Sequence, residues 1–423
     1  MERTLIKNIK GGMTVNLRGF VDTIRNQKSI QFIIIRDRSG KVQVTVFKPE
    51  KPEIASVFEG LNIGSVVSVT GKAVSAPNVK LGGVEIIPES VEVLSTAKLS
   101  PIDAETGPDL CMDYRWIDLR DEAKQRVFKI QTAVVSAMRD FCVENEFVEI
   151  MTPKLTATAS EGGSEVFEVK YFAKKAYLTQ SPQFYKQAAM AAGFENFFEF
   201  TPYYRAEKSY TSRHATEAFC FDVEISYVRD HHDVMDFEEK LLIYVMKKIE
   251  AQFGIPAQTV KFPRVTLLES YELLKKERNY EVPRASKGDL DPEGERLLCE
   301  IAKQKWNSDF IFVTDYPFAA RAFYSMKHEN DPKLSKSFDL LYKGVEVNSG
   351  AQREHHPDKL RDNLRAKGID PSTMEFYIQF FEYGCPPHGG FGMGLARFVS
   401  RMLDLPTIRD ATFLFRGPDR LAP

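Results

Sequence analysis

The stretch that most restricts what this 423-residue chain can fold into runs from 201 to 225, TPYYRAEKSYTSRHATEAFCFDVEI. It sets two arginines, a histidine and four carboxylates among aromatic and β-branched residues, a costly composition for a purely structural core. The spacing predicts two strands joined by a polar loop: Tyr203 and Arg205 alternate in the first, and Phe219, Phe221, Val223 and Ile225 share one side of the second. The other face then carries Arg205, Glu207, Cys220, Asp222 and Glu224. Alternation alone makes such a face an ordinary solvated one, so its meaning depends on the rest of the chain.

The length calls for two or three domains: an expected β-barrel over 1–95, a linker over 96–120 and a larger α+β domain over 121–423. No apolar run approaches the roughly 18 residues of a membrane helix, and the charged start MERTLIKNIKGG lacks the apolar region of a signal peptide, so a cytoplasmic protein is expected. Five scattered cysteines without a CxxC argue against a disulfide framework and a zinc site. The net charge of −2 excludes a globally basic nucleic-acid binder but leaves room for a local basic patch.

Such a patch lies in the first segment. Between residues 14 and 95, short β-rich runs separated by Gly, Asn, Ser or Pro predict five strands with one short helix after the third, the layout of an OB-fold barrel. Arg18, Arg25, Lys28, Arg36, Arg38, Lys41, Lys48 and Lys51 crowd its first half, with Phe20 and Phe32 interleaved. Cations beside exposed rings suit single-stranded nucleic acid, although Phe32 within FIII could equally be barrel core. After the linker, Val127, Ile130, Val134, Met138 and Phe141 place an apolar stripe along a helix that stops near Asn145 and feeds the strand FVEIMTP. Such a helix packs on its own domain or pairs with a two-fold copy. Gly162-Gly163 predicts a turn, and SPQFYKQ a helix with Ser181 as N-cap that puts Gln183 and Lys186 on one face. Further on, SFDLLYKGVEVNSGAQREH gathers Asp339, Glu346, Asn348, Ser349, Gln352 and Arg353. Finally, glycines 389, 390, 392 and 394 lead into a helix starting near Leu395 with Arg397 in its first turn; the stretch fits neither the dinucleotide fingerprint nor the P-loop.

Taken in order, the helix with FVEIMTP, YYRAE with RHATEA, and GGFGMGLAR resemble motifs 1, 2 and 3 of the class II aminoacyl-tRNA synthetases. Joined by SPQFYKQ and VEVNSGAQREH, they resemble the aspartyl branch of archaeal and eukaryotic type, with the asparaginyl branch as its nearest sibling. The resemblance spans essentially the whole chain. It implies an antiparallel sheet flanked by helices behind the OB-fold, and a homodimer formed through motif 1. It also implies aspartate activation by ATP with Mg2+, followed by transfer of the aspartyl group to tRNA(Asp), with tRNA(Asn) as an open second acceptor. Arg205, Arg397 and His214 would be catalytic, and Glu207, Arg213, Phe219 and Glu346 would complete the ATP site. Glu346 and Ser349, with Asp339 beside them, match the metal site. Glu161, Gln183, Lys186, Asp222, Ser349 and Arg353 match the aspartate site, and Phe32, Gln43 and Glu85 the anticodon-reading face.

The sequence departs from the family pattern at three places. Ala218 with Phe219 stands where many relatives stack adenine on a phenylalanine, Ala396 where an acidic residue usually precedes the motif 3 arginine, and Phe20 where strict anticodon readers often carry tryptophan. The alternatives are an asparaginyl-tRNA synthetase, opposed by Lys186; a paralogue making a free amide, opposed by the intact barrel; and an inactive RNA-binding relative, opposed by Arg205, Glu346 and Arg397.

Overall fold

Alternating β-branched residues close the N-terminal segment on itself. A computed structural model describes residues 2–158, 166–208, 211, 213–257 and 261–423, and the chain divides into two units, Met1–Ile117 and Asp118–Pro423. In the first, β1 (Thr14–Asn26), β2 (Ile30–Asp37), β3 (Gly40–Phe47), β4 (Val66–Ser75) and β5 (Val84–Ser95) form a closed barrel of order β1-β2-β3-β5-β4, with α1 (Pro52–Glu59) between β3 and β4. Val15, Leu17, Ile33, Ile35, Val44, Val46, Val67 and Val69 fill it. Because Ile33 and Ile35 point inward, Phe32 faces outward, which settles its place against the core reading. A short helix, α2 (Pro108–Asp113), ends this unit, and α3 (Arg115–Asp118) runs across the boundary.

The second unit is built on an eight-stranded sheet of order β12-β13-β14-β15-β16-β11-β10-β6. Its strands are β6 (Val148–Glu149), β10 (Asn196–Tyr204), β11 (Glu217–Ser226), β12 (Arg264–Thr266), β13 (Phe310–Thr314), β14 (Ser337–Tyr342), β15 (Val345–Gln352) and β16 (His388–Gly394). The expected antiparallel pairing holds in the middle; the edge pairs β12·β13 and β6·β10 are parallel. A small sheet of β7 (Leu155–Thr156), β8 (Glu168–Tyr171) and β9 (Lys174–Leu178) lies apart from it.

One face of the large sheet is apolar. Phe221, Val223, Phe312, Phe338, Leu340, Phe391 and Met393 pack there against α4 (Glu122–Glu144), α6 (His231–Phe253) and α11 (Leu395–Met402). Helix α4 begins where the Asp121 side chain accepts from the Lys124 N–H, and it buries Val127, Ile130, Val134 and Met138, the predicted stripe. The remaining helices are α5 (Gln183–Ala191), α7 (Leu267–Arg278), α8 (Pro292–Trp306), α9 (Pro357–Ala366) and α10 (Glu375–Glu382). Helix α5 starts one residue later than the capping pattern implied, with the Gln183 N–H donating to Ser181 Oγ at 3.4 Å. No described helix is long and apolar enough to cross a membrane.

Candidate active site

The opposite face of the same sheet carries charge, and it is buried. Cys220, Asp222 and Glu224 of β11 are all buried, with Glu224 wholly enclosed; the face that alternation read as solvated is covered by α5, which packs on β11. Lys186 of α5, 1% exposed, spends its ammonium group on Asp222 Oδ1 at 3.0 Å, Glu224 Oε2 at 3.2 Å and the Phe391 carbonyl at 3.1 Å. Arg353, just after β15, donates to Glu224 Oε1 at 2.9 Å and to the Gly390 carbonyl at 2.8 Å. Burial alone would raise the Glu224 carboxyl, but Arg353 and Lys186 outweigh it and hold its pKa below the usual range. Two cations and two carboxylates thus form one closed, charge-balanced cluster.

The motif 3 glycines make room for this cluster. They belong to a strand, β16, whose Gly390 and Gly392 pair with Glu224 and Asp222. A Cβ on Gly390 would come within 2.0 Å of the Val223 carbonyl and 2.3 Å of Glu224 Oε2, and one on Gly392 within 3.0 Å of Asp222 Oδ1. Only a residue without a side chain lets the backbone sit this close to the buried acids. Behind the cluster, His388 donates from Nδ1 to the Pro386 carbonyl at 2.8 Å, which leaves Nε2 to accept from Gln187 at 2.9 Å. Gln187 Oε1 in turn accepts from Gln183 and from the Tyr377 hydroxyl.

Above the cluster a recess of about 280 Å³ is lined by Gln183, Lys186, Arg205, Asp222, Arg321, Ser349 and Arg353. A second, of about 110 Å³, shares Arg205, Asp222 and Ser349 with it and adds Tyr203, Glu346 and Arg397. Arg205 lies 5.1 Å from the Tyr203 ring and 3.9 Å from Glu207. Arg397 Nε donates to the Arg213 carbonyl at 3.1 Å and NH1 to the Glu346 carbonyl at 3.2 Å. Arg213 pairs with Glu295 at 2.7 Å. Burial, then Arg397, lowers the His214 pKa; burial, then Asp339, raises that of Glu346. The site thus gathers Gln183, Lys186, Arg205, Asp222, Glu346, Ser349, Arg353 and Arg397, with Arg213, His214 and Glu207 beside them.

Phe219 stands apart from these residues. It is 54% exposed and shares the parity of Phe221 and Val223, whose side chains face the helices, whereas Tyr203 lines the smaller recess. Glu161 and the Gly162-Gly163 turn lie outside the described residues. On the barrel, Gln43 and Thr45 both hydrogen-bond Glu85, at 3.1 and 2.5 Å, and Thr45 pairs with Phe32, so Phe32, Gln43 and Glu85 share one outer face. Part of the basic patch is neutralised locally: Asp22 takes Arg36 and Lys41, and Glu59 takes Lys48.

Two site residues escaped sequence reasoning. Arg321 donates to Asp339 Oδ2 at 2.5 Å and to Ser349 Oγ at 3.2 Å, and stacks 3.6 Å from the Tyr316 ring centroid. Glu295, in the first turn of α8, reads as an ordinary dipole-favoured acid yet accepts from Arg213 and from the Glu346 N–H.

Beneath β15 lies a third polar pair. Glu238 of α6, fully buried, accepts from Asn348 Nδ2, while its Oε2 and Asn348 Oδ1 have no other partner. Burial raises the Glu238 pKa to about 8, and protonation supplies the missing donor. The folded protein therefore holds an extra proton between the unfolded value of 4.5 and about 8, so this group's contribution to stability falls as pH rises through that window. Glu238→Gln is expected to flatten the melting temperature against pH over that range; an unchanged slope in thermal melts would refute the assignment.

A mainly antiparallel sheet with an apolar helical face, and a charge-balanced acid–base cluster under an arginine-lined recess on the other, has the construction of a class II synthetase core. The comparisons agree. Residues 107–416 match the family model for tRNA synthetases class II (D, K and N), and residues 15–94 that for an OB-fold nucleic acid binding domain. The chain belongs to this class II tRNA synthetase family. It is 41% identical over 97% of both chains to an aspartate–tRNA(Asp) ligase from Pyrococcus abyssi and 40% identical, over 97% of this chain and 96% of the other, to an aspartate–tRNA(Asp/Asn) ligase from Aeropyrum pernix. Among solved structures it resembles the asparaginyl-tRNA synthetase of Pyrococcus horikoshii bound to asparaginyl-adenylate (TM-score 0.91, 32% identity, all of both chains). It also resembles the aspartyl-tRNA synthetase of Entamoeba histolytica (TM-score 0.86, 30% identity, all of this chain and 93% of the other).

Proposed function

We propose that the chain is an aspartate–tRNA ligase, activating L-aspartate with ATP to aspartyl-adenylate and passing the aspartyl group to the terminal adenosine of tRNA(Asp). The observation that carries this reading is the donor set of the larger recess: Lys186, Arg205, Arg321 and Arg353 line it, Asp222 is the one carboxylate in its wall, and Glu224 and Asp339, which pair with three of these cations, are buried outside its lining. Cationic donors presented at the wall favour a substrate with two carboxylates and one ammonium group over one carrying the neutral amide of asparagine. Attack of the α-carboxylate on the α-phosphate joins two anions and needs charge neutralisation and alignment more than a protein nucleophile. Arg205 sits on both recesses and serves both groups with its planar donor fork. Arg397, with Arg213 and His214 beside it, takes the far phosphates, and Asp222 and Gln183 take the substrate ammonium.

The carboxylates of Asp339 and Glu346 and the hydroxyl of Ser349 offer the oxygen donors of a hard cation. Asp339 Oδ1 is buried without a partner, which fits them to Mg2+. That ion would supply charge neutralisation on the phosphates. Exposed Val143, Val148 and Met151, on and just after the motif 1 helix, support a homodimer through that face.

Anticodon reading falls to Phe32, Gln43 and Glu85. Phe32→Ala is expected to raise the KM for tRNA by roughly 5- to 150-fold, the loss of about 1–3 kcal/mol of stacking, and to leave ATP–pyrophosphate exchange unchanged. An unchanged KM for tRNA would remove the barrel face from the account. Phe20 in place of tryptophan, with Asp and Asp/Asn ligases equally similar, favours charging of tRNA(Asn) as well. Aspartylation of purified tRNA(Asp) and tRNA(Asn) tests both parts: no charging of tRNA(Asp) refutes the function, and no charging of tRNA(Asn) refutes the broader specificity.

A further inference from the structure

The hydrogen bonds behind the larger recess run in one direction, which is more than packing requires. Four side chains from three elements make them: Gln183 and Gln187, one turn apart on α5, Tyr377 on α10 and His388 at the start of β16. Gln187, Tyr377 and His388 are wholly enclosed, and Gln183 is 4% exposed where it lines the recess.

The order of donors follows from one fixed group. The Pro386 carbonyl lies 2.8 Å from His388 Nδ1 and can only accept, so Nδ1 carries the ring proton. Burial lowers the pKa of the ring against the pull of Glu224 and keeps it neutral, which leaves Nε2 as a bare acceptor. Gln187 must then turn its NH2 group to Nε2, at 2.9 Å, and its carbonyl oxygen the other way. That oxygen takes two donors, the Tyr377 hydroxyl at 2.7 Å and Gln183 Nε2 at 2.8 Å. With its own NH2 group spent inside the protein, Gln183 is left with its carbonyl oxygen for the recess. An amide whose two ends are nearly the same shape is thereby held in one of two orientations.

We propose that His388, Gln187 and Tyr377 are positioning residues that aim the Gln183 carbonyl at the ammonium group of the amino-acid substrate. The proposal rests on the reading of the recess as an aspartate site in which Asp222 and Gln183 receive that ammonium. The rest of the wall presents the cationic donors of Lys186, Arg205, Arg321 and Arg353, which suit carboxylates. A flipped Gln183 would add one more donor and face it to an ammonium group that can only donate. Asp222 already accepts from Lys186 at 3.0 Å and from the Cys220 thiol at 2.6 Å, so a second acceptor matters. The relay supplies one without burying a further charge, and every member of it is paired. His388 also accepts the Arg353 backbone N–H on its own carbonyl at 2.8 Å, so one residue braces both the acceptor for the ammonium and a cation of the same recess.

The test is ATP–pyrophosphate exchange of the full chain with varied L-aspartate, using succinate as a competitive inhibitor, since succinate has both carboxylates of aspartate and no ammonium group. In Gln187→Met and in His388→Leu the KM for aspartate should rise roughly 10- to 100-fold, the worth of a hydrogen bond to a charged group, while the inhibition constant of succinate and the KM for ATP stay within about twofold of the native values. His388→Gln, whose side-chain carbonyl reaches the place of Nε2, should recover most of the loss. A role in packing alone would weaken succinate as much as aspartate. The proposal is overturned if the KM for aspartate is unchanged in both variants, if succinate weakens in step with it, or if His388→Gln takes aspartate no better than His388→Leu. Absence of aspartate-driven exchange in the native chain would instead refute the aspartate reading of the recess, and this proposal with it.

Discussion

Replacing Lys186 by methionine is expected to lower aspartate-dependent ATP–pyrophosphate exchange by roughly 10²- to 10⁴-fold. The Lys186 ammonium is committed to Asp222, Glu224 and the Phe391 carbonyl, and methionine fills the space without the charge. Two buried carboxylates are then left with Arg353 alone. An uncompensated charge in such a place costs about 3–5 kcal/mol, and each 1.4 kcal/mol is about a factor of ten. The excess negative potential also repels the incoming carboxylate. The loss should therefore fall on kcat/KM for aspartate, with the KM for ATP nearly unmoved, in exchange assays that vary each substrate separately. Activity within threefold of the native protein would show that the cluster does not govern substrate binding.

Arg397→Ala is expected to cut exchange by roughly 10²- to 10³-fold, the range for removing one fixed donor from a site of developing charge. Arg397 lies in the first turn of the helix after β16 and ties together the carbonyls of Arg213 and Glu346, so its loss removes a phosphate ligand and loosens two neighbours. Arg397→Lys should recover only part of the activity, since an ammonium group cannot present two parallel donors. Aspartate binding in the Lys186 recess should persist in equilibrium measurements. A defect confined to the KM for aspartate would contradict the assignment of Arg397 to the phosphates.

The element pattern was legible because it rests on local periodicity. The α4 stripe, the barrel strands and the strand pair around Arg205 all follow from side-chain spacing alone. What alternation could not reveal was the burial of Asp222 and Glu224, which depends on Lys186 and Arg353 arriving from elements 36 and 129 residues away. Gly390 and Gly392 read only as a glycine-rich lead into a helix for the same reason: their purpose is clearance over acids on a neighbouring strand, and sequence separation hides that contact. Arg321 and Glu295 were missed because nothing within their own segments distinguishes them from solvated charges. Phe219 shows the converse, since its strand parity turns it away from the recess to which the resemblance had assigned it.

The most direct test of the account is ATP–pyrophosphate exchange measured side by side with aspartate and with asparagine. A recess whose wall presents the donors of Lys186, Arg205, Arg321 and Arg353 predicts that aspartate drives exchange and that asparagine does so at least about 10²-fold less well. Exchange driven by asparagine alone, or equally by both, would contradict it.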